Sequence, residues 1–278
     1  MSGFLDDMAR SSARRVEQAM QRESFAKLEK RARATPPAPR LKVSPDGFDV
    51  IAELKLRSPA QGRLADAEED WLKRVAAYAQ GGAAAVSVLT EPSRFDGALE
   101  HLSQAAAVLK PLNVPAMRKD FLVDPYQVLE ARAAGAGGIL IIVRMLSRPQ
   151  MLQLLDAAAE HRLFVLLEAF DAADLAESRE LLAGRAATAE VAEQILVGIN
   201  SRDLQSLEVV PERFAELAPL LPRERPCVAE SGVASAEDAK RMAELGYTLA
   251  LIGTALMSCD DPRQLLREIL ATTRTVKA

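Results

Sequence analysis

From about Phe48 onward, short runs of apolar residues alternate with longer stretches in which apolar residues recur every three or four positions. Short apolar runs are typical of buried strands, and the longer spacing is typical of amphipathic helices. Eight short runs predict strands, at residues 50–55, 84–89, 116–119, 138–142, 164–168, 195–199, 227–229 and 250–252. This alternation of strand and helix predicts an α/β fold with a parallel sheet.

Helical patterns lie between the predicted strands, at residues 71–80, 125–134, 149–160, 172–182 and 236–245. Their start signals agree, because Asp124 and Asp261 each precede a proline, which suits the first helical position, and Ser235 begins a sequence that resembles a capping box. Eight such units favour a closed (β/α)₈ TIM barrel over an open doubly wound sheet, which is the structural alternative. Residues 183–194 are a long connection, in which we expect an extra turn or helix extension on the bottom face.

An amphipathic segment precedes the barrel. Apolar residues between Gly3 and Arg33 lie roughly on one helical face, and a proline-rich stretch at residues 35–39 ends the pattern. We therefore expect an N-terminal helical extension at residues 1–40 and a catalytic barrel at residues 41–278. The extension must bury its apolar face, either at the bottom of the barrel, where it would be purely structural, or at the top, where it would cover a substrate.

Composition narrows the possible partners. The chain has 278 residues and a net charge of −4, without the basic footprint of a nucleic-acid-binding protein. It has no apolar run long enough for a membrane span and no signal-peptide pattern at its start. Two cysteines do not make a disulfide framework, so we expect a cytoplasmic protein. No metal and no cofactor are expected, because no cluster of His and carboxylate residues has ligand spacing.

Charged and polar residues occur where several predicted strands end, which is where the active sites of these barrels lie. Glu53 and Lys55 are two residues apart, so both should point into the barrel from the first strand. Lys119 ends the third strand, Glu168 ends the fifth, and the sixth runs into Asn200. A structural ion pair explains any single lysine–carboxylate pair as well as catalysis does. Taken together, these residues predict an acid–base cluster at one mouth of the barrel.

Glycine-containing loops follow the last two predicted strands, and loops at these positions commonly bind phosphate. Ser231 and Gly232 follow the seventh strand, and Gly253 and Thr254 follow the eighth. Glycine lets the backbone approach an anion, and N–H groups at a helix start point toward it. Ser58, after the first strand, adds a hydroxyl donor. Either glycine alone is equally well explained by a tight turn without a ligand.

Several motifs resemble those of the indole-3-glycerol-phosphate synthase family. Residues 53–59 (E-L-K-L-R-S-P) are similar to its E-x-K-x-x-S-P signature, and residues 118–121 and 124–127 (R-K-D-F and D-P-Y-Q) are similar to its most specific element. Further matches follow the family order at residues 87–90 with 95–97, 198–204, 230–232 and 253–257. The resemblance covers residues 4–270.

The resemblance implies that 1-(2-carboxyphenylamino)-1-deoxyribulose 5-phosphate loses CO₂ and water to give indole-3-glycerol phosphate, a carboxy-lyase step of tryptophan biosynthesis. Lys119 would then be the general acid of ring closure, and Lys55 would pair with the substrate carboxylate and serve as acid in dehydration. Glu53 and Glu168 would share base and orienting roles, and Asn200 would hydrogen-bond near the reacting centre.

The resemblance also implies a substrate-binding set. Its phosphate-binding members would be Ser58, Ser231, Gly232, Gly253 and Thr254. The aromatic ring would pack against Phe95 and Phe121, with Arg202 nearby. The resemblance also favours the top of the barrel for the N-terminal extension, with its helix and following loop near the phosphate.

The sequence departs from the family pattern at a few positions, and two alternative interpretations of its function stay open. Ala60, Asp96 and Ala229 differ from the usual family residues, but none of these changes removes an acid–base group. The alternatives are a sister phosphate-binding barrel such as phosphoribosylanthranilate isomerase, which is favoured if Lys119 faces the helices, and a non-catalytic phosphate-binding barrel. The expected ligand is a small phosphorylated molecule, with no nucleic acid and no membrane, and protein partners could include other tryptophan-pathway enzymes.

Overall fold

The computed structural model describes residues 3–44, 47–58, 62–63, 70–183, 195–203 and 206–274. Eight parallel strands close into one barrel, in which each strand pairs with the next in sequence and the last pairs with the first. The strands are β1 Asp49–Leu54, β2 Ala85–Leu89, β3 Ala116–Lys119, β4 Gly138–Ile142, β5 Phe164–Ala169, β6 Ile195–Asn200, β7 Cys227–Glu230 and β8 Leu249–Ile252.

Two helices precede the barrel, α1 Phe4–Arg22 and α2 Phe25–Ala34. The described helices within the barrel are α3 Trp71–Gly81, α4 Pro92–Phe95, α5 Leu99–Leu109, α6 Pro125–Ala133, α7 Arg148–Glu160, α8 Ala172–Ala183, α9 Glu212–Leu217, α10 Ala236–Glu244, α11 Thr254–Ser258 and α12 Pro262–Arg274. The predicted starts are confirmed, since Asp124 accepts from the Tyr126 N–H at 2.8 Å and Ser235 forms a capping box with Asp238. None of these described helices is long and apolar enough to cross a membrane.

The predicted TIM barrel is confirmed, and every predicted strand agrees with an observed one to within one residue at each end. The antiparallel hairpin of Arg57–Ser58 with Gly62–Arg63, which follows β1, was not predicted, because two-residue strands leave no periodicity to detect. Within the long connection expected at 183–194, residues 184–194 lie outside the described residues.

The strands separate an outer core from an inner one. Outward side chains such as Ala52 and Leu54 pack with the helices, while Ile51, Met117 and Leu166 fill the barrel interior. The lower interior is therefore apolar and closely packed. It is a rigid support for the polar side chains that project from the upper ends of the strands.

Four charged residues form one layer near the top of the barrel. Glu53, Lys119, Glu168 and Glu230 come from β1, β3, β5 and β7, which are alternate strands. The register pairs Glu53, through β2, with Met117, and Lys119 lies two positions further along β3. The same offset recurs at each of the other steps around the barrel. Because a barrel of this shear rises by about one residue per strand, the four side chains are at one level.

Helix α1 covers part of the mouth, as expected. Met8 is buried in the inner cluster, and the ring of Phe4 packs edge-on against Phe121 at 5.8 Å between centroids. Helix α1 contacts segments that follow β3 and β4. The predicted placement of the extension at the top of the barrel therefore agrees with these contacts.

The expected position of the loop after the extension is wrong. Helix α2 packs Leu28 against α6, and the chain then runs to the bottom of the barrel. There the Ser44 N–H donates to Asp49 at the start of β1, and Leu41 joins the lower interior cluster. The loop lies far from the candidate phosphate loops because Thr35 and Pro36 are held by Arg132 on α6, which directs the chain downward.

We predict that deleting residues 1–40 raises KM for the expected reaction strongly, because α1 no longer covers the mouth, and also lowers the melting temperature. Leu28→Ala is the matched variant. It opens a cavity between α2 and α6, which typically costs about 2–5 kcal/mol of unfolding free energy, and it should leave KM unchanged. An unchanged KM in the truncated protein, with only its melting temperature lowered, would show that the extension is structural.

Candidate active site

A cavity of about 410 Å³ opens at the C-terminal ends of the strands, a volume usual for small-molecule sites. The structure brings together nearly all the residues predicted for the site. Those lining the cavity are Glu53, Lys55, Phe95, Lys119, Phe121, Glu168, Asn200, Arg202, Ser231, Gly232, Gly253 and Thr254. The side chain of Ser58, the remaining predicted residue, lies outside the described part of the chain.

Lys119 is the centre of the charged layer. Its Nζ lies 2.9 Å from Glu168 Oε2 and 3.4 Å from Glu230 Oε2. Both carboxylates are almost fully buried, while the Lys119 side chain keeps some exposure toward the cavity. The ammonium is thus fixed between two acids and still reachable by a ligand.

The electrostatics of the layer favour the protonated form of Lys119. Burial alone would lower the pKa of Lys119, but the carboxylates of Glu168, Glu230 and Glu53 outweigh it and raise this pKa above its usual value. For Glu230, burial and the neighbouring Glu168 raise the pKa well above its ordinary value, although Lys119 acts in the opposite direction. Lys119 is therefore held protonated, and Glu230 keeps its proton to a higher pH than a free glutamate.

A second lysine–carboxylate pair lies at the end of β1, with Lys55 directly after its last residue. Lys55 Nζ is 3.1 Å from Glu53 Oε1, and both side chains face the cavity, as the two-residue spacing predicts. The Glu53 carboxylate fits because Gly253 has no side chain, since a Cβ there would lie only 2.4 Å from Glu53 Oε1. Gly253 therefore makes room for an acidic group, in addition to its predicted place in a phosphate loop.

Glu230 is the site residue that the sequence interpretation missed, because it treated residues 229–232 only as a phosphate loop. Its side chain occupies the space beside Gly198, where a Cβ would lie 2.1 Å from Glu230 Oε1. That oxygen has no hydrogen-bond partner among the described residues. The signal was available, because a carboxylate ending the seventh strand is in the same layer as those ending the first and fifth.

Asn200 and Arg202 connect the charged layer to the predicted phosphate loops. The Ser231 hydroxyl donates to Asn200 Oδ1 at 3.0 Å, and the Arg202 N–H donates to the same oxygen at 2.9 Å. The Arg202 guanidinium donates to the Leu207 carbonyl at 2.6 Å. The Asn200 amide nitrogen is thereby oriented as a donor by contacts to its oxygen.

The predicted phosphate loops face each other at the polar edge of the cavity. Ser231 and Gly232 both adopt positive φ, at 68° and 80°, so the loop after β7 turns sharply. After β8, Gly253 precedes α11, which begins at Thr254. Backbone N–H groups from two loops can therefore approach one anion.

The opposite edge of the cavity is aromatic. Phe95 and Phe121 have ring centroids 6.3 Å apart, and Phe4 from α1 and Phe170 complete the surface. A flat ring can pack against this edge while a charged tail reaches the glycine loops. Among the described residues, no group of three or more His, Cys, Asp or Glu side chains is arranged to hold a metal ion.

A closed barrel with paired lysines and carboxylates at the C-terminal mouth defines a TIM-barrel enzyme that uses general acid–base catalysis. The sequence profile described as indole-3-glycerol phosphate synthase matches residues 5–269. The chain belongs to this family.

Relatives named indole-3-glycerol phosphate synthase are similar over most of their length. One from Parafrankia sp. is 42% identical over 80% of this chain and 77% of its own, and one from Methanopyrus kandleri is 41% identical over 84% and 87%. One from Lacticaseibacillus paracasei is 34% identical over 95% of this chain and 97% of its own. The similarity therefore includes both the extension and the barrel.

Solved structures with low sequence identity show the fold alone. A thiamine phosphate pyrophosphorylase from Pyrococcus furiosus matches with a TM-score of 0.56 at 15% identity, over 84% of this chain and 98% of its own. A 3-hexulose-6-phosphate synthase from Salmonella typhimurium matches with a TM-score of 0.59 at 13% identity, over 81% and 98%.

The alternatives drawn from the sequence are not favoured. The isomerase alternative required Lys119 to face the helices, whereas its ammonium lies inside the barrel with Glu168 and Glu230. The non-catalytic alternative required the loss of acid–base groups, and all those predicted are present at the mouth.

We predict that Gly198→Ala lowers kcat by about 10- to 100-fold, because the new Cβ displaces Glu230 from its contact with Lys119. A crystal structure of the variant should show Glu230 rotated. The matched control is Ile199→Val on the same strand, which trims an outward side chain at a cost of about 0.5–1.5 kcal/mol and should leave kcat unchanged. Normal kcat in Gly198→Ala would show that the position of Glu230 does not matter.

Proposed function

We propose that the two lysine–carboxylate pairs divide the two chemical stages of the family reaction between them. The protein is a decarboxylating lyase that forms indole-3-glycerol phosphate in tryptophan biosynthesis. That reaction joins a ring carbon to a ketone carbon, releases CO₂, and then loses water. Each stage needs a proton delivered to an oxygen. The observation that supports the proposal is the presence of two separate ammonium groups, each paired with its own acid, in one cavity.

Lys119 serves ring closure. As the carbon–carbon bond forms, the ketone oxygen gains negative charge and takes a proton from the Lys119 ammonium. Glu168, 2.9 Å from Nζ, orients this donor and stabilises its charged form before the substrate arrives. Glu230 contacts the same ammonium and restores its proton between turnovers.

Lys55 and Glu53 serve the later stage. Before CO₂ leaves, the Lys55 ammonium pairs with the substrate carboxylate. After CO₂ has left, the same ammonium protonates the departing hydroxyl while Glu53 removes a proton from carbon, so that water is lost and the indole ring becomes aromatic. The 3.1 Å contact between these groups supports one acid and one base acting on neighbouring atoms. It favours Glu53 over Glu168 as the base of dehydration.

The two edges of the cavity orient the substrate. The aromatic ring packs on Phe95 and Phe121, and the phosphate is held by backbone N–H groups around Gly232 and by Gly253 and Thr254. Asn200 donates to a substrate oxygen between them. Fixing both ends of the substrate brings the ring carbon close to the ketone carbon, and this lowers the entropic cost of reaching the reactive conformation.

The cellular setting follows from the reaction. The substrate is a small phosphorylated molecule, so the phosphate loops provide the main recognition. We place the enzyme in the cytoplasm, where the phosphorylated intermediates of amino-acid biosynthesis are made. Other enzymes of tryptophan biosynthesis are its natural candidate partners.

We predict that Lys119→Ala lowers kcat by roughly 10²–10⁴-fold while the protein stays folded, because a positioned general acid is removed. Indole fluorescence follows turnover, and circular dichroism checks the fold. Lys110→Ala, which removes an exposed lysine from the turn after α5, is the matched control and should keep normal kcat. Near-normal turnover in Lys119→Ala would remove Lys119 from the mechanism.

Glu53→Gln separates the two stages within the same experiment. If Glu53 acts only in dehydration, a single turnover of this variant releases CO₂ faster than indole fluorescence appears, whereas Lys119→Ala slows both signals together. Equal slowing of both signals in Glu53→Gln would assign Glu53 to ring closure.

We predict that inorganic phosphate inhibits competitively and occupies the space between the loops after β7 and β8. Gly232→Ala should raise both the phosphate inhibition constant and KM about tenfold, since it disturbs N–H donors to an anion. Gly246→Ala is the matched control, because Gly246 also has positive φ, at 96°, but lies in a turn with open space around it. Crystals soaked in phosphate that show an anion only elsewhere would contradict this site.

A further inference from the structure

The carboxylate of Asp120, directly after Lys119, accepts five hydrogen bonds at the mouth of the barrel. Its Oδ2 accepts from Thr90 Oγ1 at 2.8 Å, from Arg118 Nη2 at 3.0 Å and from Arg15 Nη1 at 3.0 Å. Its Oδ1 accepts from Arg15 Nη2 and from the Phe121 N–H, both at 2.8 Å. All the donors but one belong to the barrel, and the exception is Arg15 on α1.

Arg15 grips this carboxylate with both terminal nitrogens, an arrangement that fixes orientation as well as distance. The positive charge of Arg15 is needed to balance the local carboxylates, because Arg118 is shared between Asp120 and Glu130. The Arg118 Nη1–Glu130 Oε2 distance is 3.0 Å. Two guanidinium groups therefore balance two carboxylates. Without Arg15, the buried carboxylate of Asp120 would keep as its cationic partner Arg118, which it shares with Glu130.

The contact between Arg15 and Asp120 restrains the backbone that determines where the Lys119 side chain points. Asp120 and Lys119 share a peptide bond, and the Lys119 carbonyl accepts from the Thr90 N–H at 3.1 Å, so Thr90 holds both residues. The Lys119 ammonium must lie within reach of Glu168 and Glu230 at the same time. A small rotation of this peptide would move the ammonium at the end of a long side chain by much more.

We propose that Arg15 is a positioning residue for Lys119, acting from the N-terminal helix through the carboxylate of Asp120. The inference rests on the proposed role of Lys119 in ring closure. It gives α1 a second task, distinct from covering the cavity with Phe4. Covering affects how tightly substrate is held, while positioning affects the rate of proton transfer from Lys119.

A neighbouring contact shows that α1 and the segment after β3 are joined at more than one point. Gln127 Nε2 donates to the fully buried Ser12 Oγ at 2.8 Å, while Gln127 Oε1 accepts from the Val123 N–H. Arg15 Nη2 also approaches Ser12 Oγ at 3.3 Å. Loss of Arg15 alone therefore leaves α1 attached, so a variant can test positioning without removing the helix.

The test is Arg15→Met, which keeps the aliphatic stem and removes the guanidinium. We expect kcat to fall by about 10- to 100-fold with little change in KM. Phe4→Ala, which removes a cavity-lining ring, should do the reverse and raise KM with kcat retained. Arg10→Met is the matched control on the same helix, because Arg10 is exposed and pairs with exposed Asp7, and both constants should stay normal.

Two further variants keep the proposal falsifiable if Arg15→Met folds poorly. Arg15→Lys keeps the charge but cannot contact both oxygens, so it should recover part of kcat. Asp120→Asn should reproduce the kcat loss, and combining it with Arg15→Met should add little further loss, since both act through one contact. A change confined to KM or melting temperature in Arg15→Met or Arg15→Lys, or additive losses in the double variant, would overturn the proposal. If Lys119→Ala itself kept normal turnover, the assigned role of Lys119 would fail instead.

Discussion

The arrangement of the barrel mouth depends on keeping one ammonium group, that of Lys119, charged in a place with little water. A buried charge is costly unless it is paired, and here Glu168 and Glu230 contact the ammonium. Together with the more distant Glu53 they raise its pKa. The room for those carboxylates comes from glycines, since any side chain at Gly198 or Gly253 would collide with Glu230 or Glu53. The charged layer and the two glycines are therefore one physical unit, although they come from five different strands and from the loop after a sixth.

The closed barrel makes this unit possible because it brings alternate strands to one level. Residues far apart in the chain, such as Glu53 and Glu230, meet without any local sequence relation. Below these charged residues the apolar interior holds the strands in register. The loops above them are not bound by this packing. The acids and lysines are thus placed by the closely packed part of the molecule, while a glycine edge and an aromatic edge line the rest of the cavity.

The N-terminal extension is tied into the same machinery. Helix α1 contributes an aromatic ring to the cavity and, through Arg15, two hydrogen bonds to the residue after Lys119. Helix α2 adds a packed hydrophobic face against α6. Although it precedes the barrel, the extension has its own share in both the shape of the mouth and the support of the β3 end.

Periodicity, capping residues and strand-end chemistry determined the number of strands, their limits and most of the cavity-lining residues, because each is a local property of the chain. They could not decide which acids contact Lys119, since Glu168 and Glu230 reach it from other strands across the barrel. Glu230 was missed and the loop after α2 was misplaced for the same reason. The inward direction of Glu230 depends on the space at Gly198 on another strand, and the path of residues 35–44 depends on Arg132 of α6. Contacts between distant segments exist only once the barrel has closed, so the tertiary structure alone decided them.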